Sequence, residues 1–218
     1  MASIKAYFRG WVDHPHLGRR LAIAIVSTIL MGLCILAFER LEVGTDPFSC
    51  VCIGLSNLLH IDLGHVEAVV HTVTLCAVLA VAKEMFGFGS LANMFLVGYS
   101  HDFFKWALGD LIPKAPEMAA RILLFVPFAA LFLLAVSSYV AAGLGTSPYD
   151  AAPIIIHRKL SRRRPKLSFT PVRIAWDALF TLVGLLLAGP FGAVTIACVL
   201  FLGPLITWIS NQIRRFID

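Results

Sequence analysis

Gly145-Thr146-Ser147-Pro148-Tyr149-Asp150 has the residue types that end one helix and start another. Glycine ends a helix by tolerating positive φ, serine suits an N-cap, and proline suits the first helical position. Asp150 stands three residues after Ser147, where its carboxylate can return a hydrogen bond to the cap residue's N–H. A second copy, Gly44-Thr45-Asp46-Pro47-Phe48-Ser49, uses Asp46 as the cap and carries Ser49 at the third helical position. Helix N-termini placed inside a membrane present free N–H groups and a positive dipole end. Two such ends meeting at a repeat interface would bind an anionic or hydrogen-bond-accepting solute. Thr45, Asp46, Ser49, Thr146, Ser147 and Asp150 are therefore the expected substrate-binding residues. The plainer alternative is that each motif only closes one helix and opens the next.

Three further groups are candidates for proton coupling: Asp177, Asp102 and His101. Ionisable side chains deep in an apolar helix are costly and often functional. Each also has a structural explanation. Arg173 lies four residues before Asp177 on the same helix face, and Lys105 stands near Asp102. His71 fits an interhelical polar contact, as do Asn93, Thr195, Ser56 and Asn57. His60 and His65 flank a loop without a third ligand, so no metal site is expected. Gly143 and Gly145 lack the strand and lysine of a phosphate loop. No G-x-S-x-G or H-E-x-x-H pattern occurs, so the chain reads as a non-enzyme without a cofactor.

These candidates sit in a chain that is 59% hydrophobic and only 14% charged, with a mean hydropathy of +0.84. Runs at 21–38, 66–81, 122–142 and 174–188 carry few charges over roughly the length that crosses ~30 Å of hydrocarbon. The sequence therefore predicts an all-α, polytopic helical membrane protein. The net charge of +5 has a topological explanation. Lys5, Arg9, Arg19 and Arg20 precede the first run, Arg214 and Arg215 follow the last, and a dense basic cluster occupies 157–173. The positive-inside rule places both termini and this loop in the cytoplasm, and no nucleic-acid partner is needed. Leu33 precedes Cys34 where a lipoprotein would need a small residue, so the first run reads as a retained helix. The five cysteines lie in apolar surroundings and read as buried thiols.

The paired breaks point to an internal duplication. Residues 1–20 form an N-terminal segment, 21–109 a first membrane repeat, 110–117 a linker and 118–213 a second repeat. Phe86-Gly87, Ser90 and Gly98 match Phe191-Gly192, Thr195 and Gly203 at a slightly longer spacing, which the basic loop absorbs. The apolar part of the helix after Pro148 reaches only Ile156, roughly 12 Å at 1.5 Å per residue. That is under half the hydrocarbon thickness. If both short helices stop inside the bilayer, six spans remain and the repeats are inverted. If both cross, there are eight spans in parallel repeats. Lys105, Lys114 and Arg121 near the linker favour eight, whereas the short helix favours six, which is the reading preferred.

Gly-Thr-Ser-Pro-Tyr-Asp-Ala at 145–151, Arg173, Trp176-Asp177, Gly192 and Gly203-Pro204 resemble the YczE/YitT-type bacterial integral membrane proteins over about residues 20–210. The first copy departs from that pattern, since Asp46-Pro47-Phe48-Ser49 lacks the Tyr-Asp pair. The resemblance implies a multi-pass protein of the bacterial inner membrane, of transport type. The leading expectation is a permease for a small anionic or zwitterionic solute in the lipid bilayer. The alternative is a non-transporting accessory or scaffold protein that engages a cytoplasmic partner through the basic loop. At 218 residues one copy offers few helices to enclose a path, which makes a homodimer a reasonable assembly.

Overall fold

The computed structural model describes residues 11, 15–109, 111–114 and 117–217, and among these there is no strand. The helices are α1 Leu17–Arg40, α2 Pro47–Leu59, α3 Leu63–Val81, α4 Phe88–Leu108, α5 Met118–Ala142, α6 Pro148–Ser161, α7 Phe169–Leu186 and α8 Ala193–Ile217. Within α8, Cys198–Leu202 is wound as a π-helix. Among the described residues, five helices are long and apolar enough to cross a membrane: α1, α3, α5, α7 and α8. The basic connection after α6 is shorter than the sequence suggests, because helix continues through Ser161 and resumes at Phe169.

Side-chain contacts fix the direction of each long helix. Glu39 meets His101 at 2.8 Å, and the Arg40 guanidinium donates to the Gly109 carbonyl, so α1 and α4 run the same way. Asp102, near the end of α4, accepts from the Gly64 N–H at 2.6 Å at the start of α3, so α3 runs opposite to both. Arg20 donates to the Ala142 carbonyl at 2.9 Å, and Phe38 packs on Phe125 with ring centroids 5.9 Å apart. The start of α1 thus meets the end of α5, and these two helices are antiparallel. The buried core lies between them, from Cys34, Ile35 and Phe38 to Phe132, and extends to Phe48 and Tyr149. Outer faces carry exposed apolar residues such as Val73, Leu123, Leu186 and Trp208. Water would penalise these faces and hydrocarbon would not.

The two breaks interlock with the opposite half of the chain. Gly44, at φ +88°, stands against the backbone of Gly192, and the Thr45 N–H donates to the Pro190 carbonyl at 3.3 Å. Gly145, at φ +112°, stands against Gly87, and the Thr146 N–H donates to Met85 at 2.9 Å. Val194 N–H bonds to Val43 at 3.1 Å, as Gly89 N–H does to Leu144 at 2.7 Å. Positive φ is open to glycine and strained for other residues, and a Cβ at either glycine would overlap its facing backbone. The glycines are therefore required twice, once by conformation and once by space.

Candidate functional site

Both short helices begin as their sequences predict. The Asp46 carboxylate accepts from the Ser49 N–H at 3.1 Å and caps α2. The Ser147 hydroxyl accepts from the Asp150 N–H at 3.1 Å and caps α6. The returning bond differs from the expected one. Asp150 accepts from the Ser147 hydroxyl at 2.7 Å rather than from its N–H, which leaves the second carboxylate oxygen for another partner. That partner is Arg173, at 2.6 Å. The donors that an anion would need at these helix ends are thus partly occupied by the chain's own side chains.

The starts of the two short helices lie level with the middles of α3 and α7. Phe48 stacks on His71 with centroids 4.3 Å apart, and Tyr149 lies 5.2 Å from Phe48. Tyr149 donates its hydroxyl to Asp177 in α7, and Trp176 and Phe180 pack around its ring. Arg173 completes the group. Its Nε donates to Asp177 at 2.8 Å, and its guanidinium lies 5.3 Å from the Tyr149 ring centre. The i,i+4 ion pair expected from the sequence is present, and Asp177 lies deeper in its helix than the sequence places it because α7 begins at Phe169.

A cavity of about 910 Å³ opens at this level. Asp46, Ser49, Thr146, Ser147 and Asp150 all line it, as do Arg173 and His71. Thr45 does not. It is fully buried, its N–H tied to Pro190 and its hydroxyl near the Asp46 carbonyl. Asp177 stands behind the wall, bound to Tyr149 and Arg173.

His101 and Asp102 belong to a different place. His101 is 2% exposed and bridges Glu39 at 2.8 Å and Asp102 at 3.1 Å, and Lys105 approaches Glu39 at 3.9 Å. Asp102 also caps α3 through Gly64. This network joins α1, α3 and α4 at the end where α1 finishes. Asp102→Ala removes a helix cap and one imidazole partner together. We expect a loss of about 1–3 kcal/mol, read as a lower melting temperature of the detergent-solubilised protein.

One residue of the site was not singled out in the sequence. Glu67, in α3, lines the cavity and is 0% exposed, and neither carboxylate oxygen has a hydrogen-bond partner among the described residues. Its side chain lies against Gly98, a mid-helix position whose N–H is already used along α4. Its signal was a lone carboxylate at the start of the 66–81 run, four residues before His71.

Similarity to known proteins adds little chemistry. The chain is 25% identical over 191 residues to a protein of Bacillus subtilis (strain 168) described as "Uncharacterized protein YyaS", covering 87% of this chain and 92% of that protein. No solved structure matches it. The YczE/YitT name is not the one that the family match carries. Residues 18–211 match DUF6198, and the chain therefore belongs to this family, described as one of unknown function.

Proposed function

We propose that this protein is a small-solute permease of the cell membrane, built from two inverted repeats with both termini in the cytoplasm. The observation that carries the reading is the cavity between the halves, where the starts of both short helices converge on buried charged side chains. Solute sites at the meeting point of two broken helices are the recurring arrangement of inverted-repeat transporters. The antiparallel packing of α1 and α5 supports the inversion, because an even number of crossings must lie between two antiparallel spans. With α3 and α4 crossing between them, α2 does not cross. α4 then serves as a sixth span beside the five apolar ones. The reciprocal contacts of the two breaks support a common origin of the halves. An accessory role acting through the basic loop would leave the cavity without a purpose.

Two measurements test this. A cysteine placed at Lys114, in a background lacking the native five, should react with an impermeant maleimide added outside the cell. Labelling only from the cytoplasmic side would support parallel repeats and sink the inversion. In proteoliposomes, a panel of choline, guanidinium, betaine, acetate and phosphate should include at least one solute taken up saturably. Uptake should fall tenfold or more in Thr146→Ala/Ser147→Ala. Equal uptake by this variant would remove the breaks from the transport path, and uptake of none of the five would count against transport.

A further inference from the structure

We infer that the cavity takes an organic cation, a protonated amine or quaternary ammonium, with Glu67 as its counter-charge. The inference rests on the permease reading for its biological setting, although the binding site stands on the geometry alone.

The argument begins with which charges are already matched. Asp46 caps α2. Asp150 holds both the Ser147 hydroxyl and Arg173. Asp177 holds Tyr149 and Arg173. Arg173, the cation at this depth, is therefore engaged twice by carboxylates and covered on one side by the Tyr149 ring. It has little left to offer a solute anion, and the helix ends are capped from within the chain. Glu67 is different. It is fully buried, lines the cavity and has no hydrogen-bond partner for either oxygen among the described residues. A buried carboxylate left unpaired is costly, and a cationic ligand is what would relieve that cost. His71, one turn further along α3 and 2% exposed, has an unpartnered Nδ1 on the same wall. Neutral imidazole can accept a hydrogen bond there from an ammonium N–H.

The rest of the wall suits the same ligand. Phe48 and Tyr149 add aromatic surface to the wall, with one face of each ring already taken, by His71 and by Arg173. Met31, Ile35 and Phe132 supply an apolar surface for methyl or methylene groups. The cavity volume, about 910 Å³, is ample for a small organic cation. Asp46, Glu67, Glu84 and Asp150 line the cavity together with Arg158, Arg173 and Arg214. Arg158 is matched by Glu84 at 3.0 Å and Arg173 by Asp150 and Asp177, which leaves Glu67 as the lining carboxylate with neither a paired cation nor a hydrogen-bond donor among the described residues.

The test is ligand-dependent melting of the purified full chain in detergent, with choline, guanidinium and ethylammonium chlorides against sodium acetate and sodium phosphate at equal ionic strength. At least one of the cations should raise the melting temperature saturably, and neither anion should. Glu67→Gln preserves shape and removes only the charge. It should melt at or above the unsubstituted protein without ligand and bind the cation at least tenfold more weakly. Glu67→Asp should keep part of the affinity. The inference is overturned by stabilisation with acetate or phosphate alone, by no stabilisation from any cation, or by Glu67→Gln binding within twofold of the original. It is also overturned if Glu67→Gln melts several degrees lower without ligand, since the carboxylate would then be holding the fold. Cation binding without uptake in proteoliposomes would keep the site and remove the permease. Uptake of acetate or phosphate that Glu67→Gln leaves unchanged would do the reverse.

Discussion

Arg173→Ala is expected to destabilise the protein by about 3–5 kcal/mol, enough to deplete the folded form at expression temperature. The guanidinium bonds to Asp150 at 2.6 Å and Asp177 at 2.8 Å, and the Asp177 side chain is only 2% exposed. Removing the cation leaves two carboxylates facing each other near the middle of a membrane helix. Only Tyr149 and Ser147 remain to donate to them. The cost arises from that stranded charge more than from the lost attraction. The companion variant Arg173→Leu/Asp150→Asn/Asp177→Asn, which removes the whole network, should therefore melt higher than Arg173→Ala alone. Melting temperature and monodisperse yield in detergent measure both. If the single variant is as stable as the parent, the network does not hold α6 to α7.

The second large effect is expected at Gly145. Alanine there should cost about 3 kcal/mol or more, from two sources. Forcing a side chain into φ +112° costs roughly 1–3 kcal/mol. The added Cβ would also lie 2.6 Å from the Gly87 nitrogen and 2.6 Å from the Ser90 hydroxyl oxygen, closer than real contacts allow. Backbone must move to make room, and overpacking of this kind costs about 1–3 kcal/mol. Gly44→Ala should behave alike, since Gly192 and Thr195 crowd it in the same manner. Gly18→Ala is the control. A Cβ there meets nothing within 4 Å, and alanine is the better helix former by about 1 kcal/mol, so this variant should be neutral or slightly stabilised.

Local rules in the sequence read the helix starts well. The Asp46 and Ser147 caps, the proline at each first position and the Arg173–Asp177 pair all depend on residues within four positions of one another. What connects distant segments was hidden. Glu39 lies just past the apolar run 21–38, and nothing in its neighbourhood announces that it pairs with His101 in α4. Asp150 reads as a cap, and its second oxygen's bond to Arg173 depends on how α6 meets α7. Glu67 escaped for another reason. A hydropathy average over an apolar run absorbs one carboxylate, so the residue with the most unmet chemistry left almost no trace in the pattern.

The interlocked breaks also bear on biosynthesis. As the first half leaves the ribosome, the Thr45 N–H and the Val43 carbonyl lack their partners at Pro190 and Val194, which belong to the second half and are made later. Water or the insertion machinery must serve these groups until α8 arrives, because hydrocarbon cannot. The first break therefore matures only after the chain has been made through Val194. A chain truncated at the linker should persist as a target for membrane proteases, and two halves expressed separately should each stay short-lived until they meet. A fold that exchanges its hydrogen bonds between halves thus has one late assembly step, and any quality control acting on this protein would act there.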